Sequence, residues 1–123
     1  MRILVTGGSG MVGKHLKEIL PDAIYISSKD GDLRDPVFVR WLLSSYTPDV
    51  VIHLADIVAG IGYVFSNESF VFRTNLLINS NVSKAIYDFK PKRYIYVGTA
   101  CSFPRALQLS TNSTPLLEKD QFP

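Results

Sequence analysis

The sequence predicts an α/β fold built on a doubly wound parallel sheet, of which about four strands are present. Short runs of apolar and β-branched residues alternate with longer segments of helical periodicity, which is typical of parallel β-α-β units. A glycine-rich stretch directly follows the first apolar run. Folds of this class bind ligands beyond the carboxyl ends of their strands, so we expect a site at that edge of the sheet.

The glycine-rich stretch follows the first predicted strand, Ile3 to Val5, and opens a helix. Gly7 would permit a tight turn, Gly10 a close approach of phosphate to the backbone, and Gly13 close packing of the helix on the strand. The start of a helix favours an anion such as a pyrophosphate. A plain tight turn is the alternative interpretation. We predict a dinucleotide-binding turn made by Gly7, Gly8, Ser9, Gly10, Met11, Val12 and Gly13.

The next two elements are a strand and a helix. Residues 23–27 form an apolar run that predicts the second strand. Asp35 and Pro36 then predict a helix start, with an acidic N-cap followed by proline at the first helical position. We expect this helix to bury Phe38, Trp41 and Leu42 and to end at the Thr-Pro pair of residues 47–48.

The second half of the chain repeats this alternation. Residues 50–55 are nearly all apolar or β-branched and predict a central parallel strand. A loop with glycines, residues 59–62, leads to a long helix from about Asn67 to Phe89, and residues 93–97 predict the fourth strand. The proline-rich, polar sequence that follows divides the chain into a nucleotide-binding portion, residues 1–101, and an extended loop, residues 102–123, that leads to a remainder.

Composition limits the class of partner and the compartment. The net charge is only +2 and charges of both signs are scattered, so neither a nucleic-acid surface nor a membrane surface is predicted. Cys101, the single cysteine, has no internal disulfide partner, which favours a reducing compartment. No export signal and no apolar run of about 20 residues is present. We therefore expect a cytoplasmic location, and we predict no metal site.

The residues after the second strand indicate which dinucleotide fits. An acid at the strand end would bind the adenosine ribose and repel a 2′-phosphate, and we find none there. Ser27, Ser28 and Lys29 instead offer two hydroxyls and a cation to a phosphate. A solvated polar loop is the alternative. Asp32 and Leu33 follow at a distance suited to bind the adenine amino group and cover the ring, so we predict NADP(H) as the cofactor.

Several motifs together resemble the N-terminal part of the extended short-chain dehydrogenase/reductases. They are the glycine turn, the Gly-Asp-Leu-Arg-Asp run at 31–35, His53-Leu54-Ala55, Asn75 and the run from Gly98 to Pro104. Within that superfamily the chain resembles two nucleotide-sugar epimerase branches, the GDP-L-fucose synthases and the GDP-mannose 3,5-epimerases. The resemblance implies a Rossmann-type domain, a GDP-sugar substrate and a homo-oligomer in the complete enzyme. It places Leu54, Ala55, Asn75 and Gly98 at the cofactor and Gly60 and Gly62 at the sugar.

The resemblance also implies two catalytic residues. Thr99 matches the serine or threonine that binds the reacting substrate oxygen, and Cys101 matches the cysteine that acts as acid and base in epimerisation. A thiolate is a competent base near neutral pH when nearby positive charge lowers its pKa. On spacing alone, Thr99 is also consistent with a strand-end cap and Cys101 with a buried, inert thiol. His53 is predicted to be structural.

The superfamily's catalytic Tyr-x-x-x-Lys pair is expected a few tens of residues after Cys101, beyond Pro123. We therefore expect this chain alone to bind nucleotide without turning over substrate, as the cofactor-binding portion of an epimerase-reductase. The alternative is a dinucleotide-binding sensor that contacts a protein partner and has no catalytic role. Thr99 and Cys101 favour the enzyme, because a sensor has no use for a base that acts on a sugar.

Overall fold

The computed structural model describes residues 1–99, 103–104 and 115–120, and within them four parallel strands form one sheet. The strands are β1 (Ile3–Thr6), β2 (Ile24–Ile26), β3 (Val50–His53) and β4 (Arg93–Tyr96). The helices are α1 (Met11–Ile19), α2 (Pro36–Tyr46), α3 (Ile61–Ser66) and α4 (Glu68–Phe89), and a 3-10 turn spans Glu118–Asp120. This arrangement confirms the predicted α/β doubly wound parallel sheet.

The strand order is β2-β1-β3-β4, so the chain moves to opposite sides of β1 after its first and second crossovers. Thr6 at the end of β1 pairs with Ile26 of β2 on one side and with His53 of β3 on the other. The three carboxyl ends therefore lie side by side where the strand order reverses, the usual position of a ligand crevice. β3 is central, as predicted, and β4 lies at the edge.

The hydrophobic core forms where α2 and α4 pack against the sheet. Leu4 and Val51 supply its fully buried sheet residues. Helix α4 contributes Val82 and Ala85 to the buried cluster, and Ile78, Ile86 and Phe89 pack against that cluster. Burial of side chains of this size contributes about 1.5–3 kcal/mol each, which makes this core the main support for the loops above it.

The predicted burial of Trp41 is wrong. Val39, Leu42 and Leu43 are the buried residues of α2, whereas Trp41 is 51% exposed. The spacing i, i+3, i+4 directs those three aliphatic side chains to one side of the helix. Trp41 lies beside that stripe and covers Phe38, with ring centroids 5.8 Å apart. The N-terminal prediction is confirmed, since the Asp35 carboxylate accepts a hydrogen bond from the Val37 N–H at 2.8 Å.

The loop predicted at residues 59–62 is partly helical. Gly60 has an extended conformation, and its carbonyl accepts hydrogen bonds from the N–H groups of Tyr63 at 3.0 Å and Val64 at 3.2 Å. These bonds start α3, which places Gly62 inside a helix rather than a loop. Two glycines in four residues conceal such a helix from propensity arguments, because glycine disfavours helices by about 1 kcal/mol relative to alanine.

Candidate dinucleotide-binding site

A cavity of about 690 Å³ lies at the carboxyl ends of β1, β2 and β3. Nine of the predicted cofactor residues line it: Gly7, Ser9, Gly10, Ser27, Ser28, Asp32, Leu33, Leu54 and Ala55. The lining therefore brings together the glycine turn, the loop after β2 and the end of β3. These segments lie up to 48 positions apart in the sequence.

The glycine turn is held against the two neighbouring strand ends. Gly7 has φ +73°, and a Cβ placed on it would lie 2.8 Å from the backbone carbonyl of Leu54. The Gly8 N–H donates to the Ile26 carbonyl at 2.9 Å. Gly13 lies so close to the turn that a Cβ on it would approach the Gly7 carbonyl oxygen to 2.6 Å. The turn has the geometry that a dinucleotide cradle requires, with α1 starting immediately beside the cavity.

The start of α1 can receive an anion. Gly10 is its N-cap, with an extended conformation, and it provides no side-chain cap for the first-turn N–H groups. Gly7 and Gly10 both line the cavity next to these groups. Uncapped N–H groups together with the positive end of the helix dipole favour phosphate oxygens at this position.

An acid lies near the end of β2, although it does not line the cavity. The Asp30 carboxylate turns back and accepts hydrogen bonds from the Ser27 N–H and hydroxyl, both at 2.8 Å. These bonds hold the pKa of Asp30 below its ordinary value. Ser27 and Ser28 line the cavity, whereas Lys29 is not among its lining residues. This contact is not visible in the sequence, because Asp30 is four residues past β2 and returns through a tight turn.

The loop at residues 31–35 contains a cation that the sequence analysis did not assign to the site. Arg34 lines the cavity, and its guanidinium holds the Asp32 carboxylate through Nη2 at 2.6 Å and Nε at 2.9 and 3.0 Å. This pairing lowers the pKa of Asp32 and raises that of Arg34. Both side chains are about half exposed, so the pair adds little stability. Its main effect is to fix the direction of the carboxylate.

One wall of the cavity comes from α4 and was also missed. Phe70, Thr74 and Ile78 line the cavity at intervals of four residues, and they therefore project from one side of the helix. This spacing was visible in the sequence. It could not be distinguished from core packing until the position of α4 over the strand ends was known.

Asn75 holds the loop after β3. Its side-chain oxygen accepts a hydrogen bond from the Ile57 N–H at 2.8 Å, and its amide donates to the Ile57 carbonyl at 3.1 Å. Ile57 lines the cavity but Asn75 does not. The structure therefore places the predicted asparagine behind the cofactor cavity, where it fixes the loop that extends from Leu54 and Ala55.

His53 belongs to a buried polar chain beneath the site. Asn79 donates from its amide to Asp56, at 2.8 Å, so its oxygen faces His53 Nε2 at 3.2 Å. Nε2 is then the donor, and Nδ1 accepts from the Thr6 hydroxyl at 2.6 Å. His53 is only 2% exposed, and burial lowers its pKa. The neutral imidazole is therefore a structural link between β1, β3 and α4.

This burial predicts a pH-dependent stability. The unfolded chain binds a proton at His53 near pH 6.5, whereas the folded chain does so only at lower pH. Stability should therefore fall as pH decreases from about 6.5 to 5. Urea denaturation at several pH values in this range measures the slope of folding stability against pH. The wild type should show this slope, and so should His15→Gln, which changes an exposed histidine. His53→Gln should lose the slope, and a slope that survives in it would contradict this assignment.

The remaining predicted residues lie outside the cavity lining. Gly60, Gly62, Gly98 and Thr99 are exposed, and a Cβ on any of these three glycines would meet open space. Gly8, Met11, Val12 and Gly13 belong to the turn and α1 without lining the cavity. Cys101 falls outside the described residues. Within residues 1–99, 103–104 and 115–120, no cluster of metal-binding side chains occurs and no helix has the length and apolar character needed to span a membrane.

Comparison with known proteins identifies relatives of this fold and sequence. The model of the NAD dependent epimerase/dehydratase family matches residues 3–122. A probable GDP-L-fucose synthase of Drosophila melanogaster is 33% identical, over 84% of this chain and 34% of its own length. GDP-mannose 3,5-epimerase 1 of Oryza sativa subsp. indica is 30% identical, over 100% of this chain and 37% of its own length.

A solved structure has the same arrangement with a cofactor bound. The GDP-L-fucose synthetase of Naegleria fowleri bound to NADP matches with a TM-score of 0.77 and 32% identity, and covers 98% of this chain and 36% of that one. The chain thus spans about a third of the length of the curated relatives it matches.

Proposed function

Because the chain belongs to the NAD dependent epimerase/dehydratase family, we propose that it is the cofactor-binding portion of an NADP-dependent enzyme that epimerises and reduces a GDP-sugar. The observation that carries the proposal is the cavity at the reversal of strand order, where the glycine turn meets the loops after β2 and β3. The names of the relatives support GDP-L-fucose synthase-like chemistry. Turnover is proposed only for a complete enzyme of the family, and the inactivity of these 123 residues alone stays a prediction.

The glycine turn and the loop after β2 would supply the main contacts to NADP(H). The glycine turn and the start of α1 would bind the pyrophosphate. Ser28 and Lys29 would bind the 2′-phosphate, with Ser27 shaping the turn through its bonds to Asp30. Asp32 and Leu33 would bind adenine. When bound, the cofactor supplies the hydride for reduction of the sugar ketone.

The catalytic end is proposed to follow β4. Thr99 lies three residues beyond that strand and is exposed. Its hydroxyl would donate to the sugar oxygen at the carbon that exchanges hydride. Cys101 would remove a proton from the carbon beside the ketone. Gly60 and Gly62, exposed at the start of α3, would contact the sugar.

We expect the chain to bind NADPH more tightly than NADH. Lys29→Ala should weaken NADPH binding by roughly 1–3 kcal/mol, the range for a charged hydrogen bond, and leave NADH binding unchanged. Titration calorimetry of both cofactors on both proteins measures this difference. Lys84→Ala removes an exposed cation on α4 that pairs with Asp88, and it should leave both affinities unchanged.

The outcomes separate the parts of the proposal. Absence of binding to either cofactor would contradict the cofactor-binding function itself. Equal or tighter binding of NADH would contradict the predicted preference for NADPH. A loss of affinity for both cofactors in Lys29→Ala would mean that this lysine contacts the part that the two share.

A further inference from the structure

Helix α4 holds the adenosine side of the cavity through Asn81. The amide of Asn81 donates hydrogen bonds to the backbone carbonyls of Leu33 at 3.1 Å and Arg34 at 2.8 Å. These partners lie 48 and 47 positions away in the sequence. Asn81 is not among the residues that line the cavity. Any effect of Asn81 on a ligand there must therefore pass through the loop at residues 31–35.

Besides Asn81, two sets of contacts hold that loop. The Leu33 side chain is 9% exposed and belongs to the core. The Asp32 carboxylate accepts from the Arg34 N–H at 2.8 Å and from its guanidinium, which fixes the two side chains relative to each other. The half-exposed pair does not fix the loop relative to the rest of the cavity. Asn81 adds a polar link to the one that Leu33 makes through the core, because its two bonds connect the loop backbone to α4, which also forms a cavity wall.

The Asp32 carboxylate retains the capacity to bind a base. A carboxylate offers about four acceptor sites. Arg34 presents three N–H groups to it: the backbone N–H, Nε, shared between both oxygens, and Nη2. These three groups make four bonds, two to each carboxylate oxygen, so an amino group would bind in exchange for one of the two bonds that Nε shares between the oxygens. The direction in which the carboxylate meets that amino group depends on where the loop backbone lies.

We propose that Asn81 is a positioning residue for adenine recognition, holding the 31–35 loop so that Asp32 accepts a hydrogen bond from the 6-amino group of the base. This rests on the proposed cofactor-binding function. Without the Asn81 amide, the loop moves relative to α4 and the carboxylate no longer meets the amino group. The site then no longer discriminates between bases. The pyrophosphate turn, which is tied to β2 through Gly8, keeps its geometry.

The test compares NADPH with its hypoxanthine analogue, which lacks the 6-amino group, by fluorescence titration of the intact chain. The wild type should prefer NADPH by about tenfold, equivalent to about one net hydrogen bond. In Asn81→Ala the preference should fall close to one, with NADPH affinity reduced by about the same factor. Asn67→Ala is the matched control, because its amide, at the other end of α4, donates to the Tyr63 carbonyl. It should retain the preference.

The outcomes are distinct. A wild type that binds neither ligand contradicts the proposed function, and the positioning role with it. Equal losses for both ligands in Asn81→Ala, with the preference intact, would overturn the inference by showing a merely structural role. Unchanged affinities would overturn it as well. If Asn81→Ala proves unfolded by circular dichroism, Asn81→Ser, which keeps a short donor, should show an intermediate preference, and a wild-type preference there would contradict the proposal.

Discussion

Gly7→Ala is expected to abolish NADPH binding and to destabilise the chain by about 2–6 kcal/mol, the combined range for a strained backbone and an overpacked site. Gly7 has φ +73°, a conformation that alanine rarely adopts. The added Cβ would also lie 2.8 Å from the carbon and oxygen of the Leu54 carbonyl and 2.9 Å from the Ala55 nitrogen. All of these atoms are backbone, so none can move aside by a rotamer change.

The loss of binding has a separate cause from the loss of stability. To relieve the contact, the end of β1 must move away from the end of β3, and Gly7 and Leu54, which directly follow these ends, both line the cavity. Urea denaturation measures the stability change, and NADPH titration at a urea-free, folded condition measures the binding change. Gly62→Ala is the stability control, because a Cβ there meets open space within helix α3. It should leave stability unchanged or raise it by about 0.5–1 kcal/mol. Wild-type stability in Gly7→Ala would contradict the close packing of the turn on β3.

The fold could be predicted from the sequence because its signals are local. The strands are short apolar runs, and their ends carry the residues that stop or turn a chain. Thr47 and Lys90 adopt φ of 39° and 48° after α2 and α4, and prolines follow both, which fixes the helix ends where the sequence indicated. The glycine turn was predictable because its glycines stand at a recognisable spacing directly after the first strand.

The parts that could not be predicted depend on contacts between distant residues. Arg34 became a site residue only when Asp32 and the cavity were seen together. The Asn81 side chain bonds to the loop and the Asn75 side chain bonds to Ile57 because of where α4 crosses the strand ends. Trp41 was misplaced because a stripe at i, i+3, i+4 can be drawn through either of two adjacent sets of apolar residues. The sequence alone does not decide between them.

Cys101→Ser is expected to abolish epimerisation in a protein that carries this segment together with the rest of a family enzyme. The thiolate would take the proton from the carbon beside the sugar ketone, and the electron pair of that C–H bond would move to the carbonyl oxygen as an enolate. Return of a proton to the opposite face inverts the carbon. A serine hydroxyl is too weak an acid to supply an anion near pH 7. The loss should reach about 10²–10⁴-fold, the usual contribution of general acid-base catalysis.

Solvent deuterium distinguishes this step from reduction. In deuterium oxide, the wild type should exchange the carbon-bound proton of a GDP-4-keto-6-deoxy sugar, and Cys101→Ser should not. Hydride transfer from NADPH to the ketone, followed at the nicotinamide absorbance band, should largely survive, because in a complete family enzyme it is expected to depend on Thr99 and on the tyrosine of the Tyr-x-x-x-Lys pair. If both activities fall together, the cysteine holds the sugar in place. Exchange at the wild-type rate would make it a structural thiol.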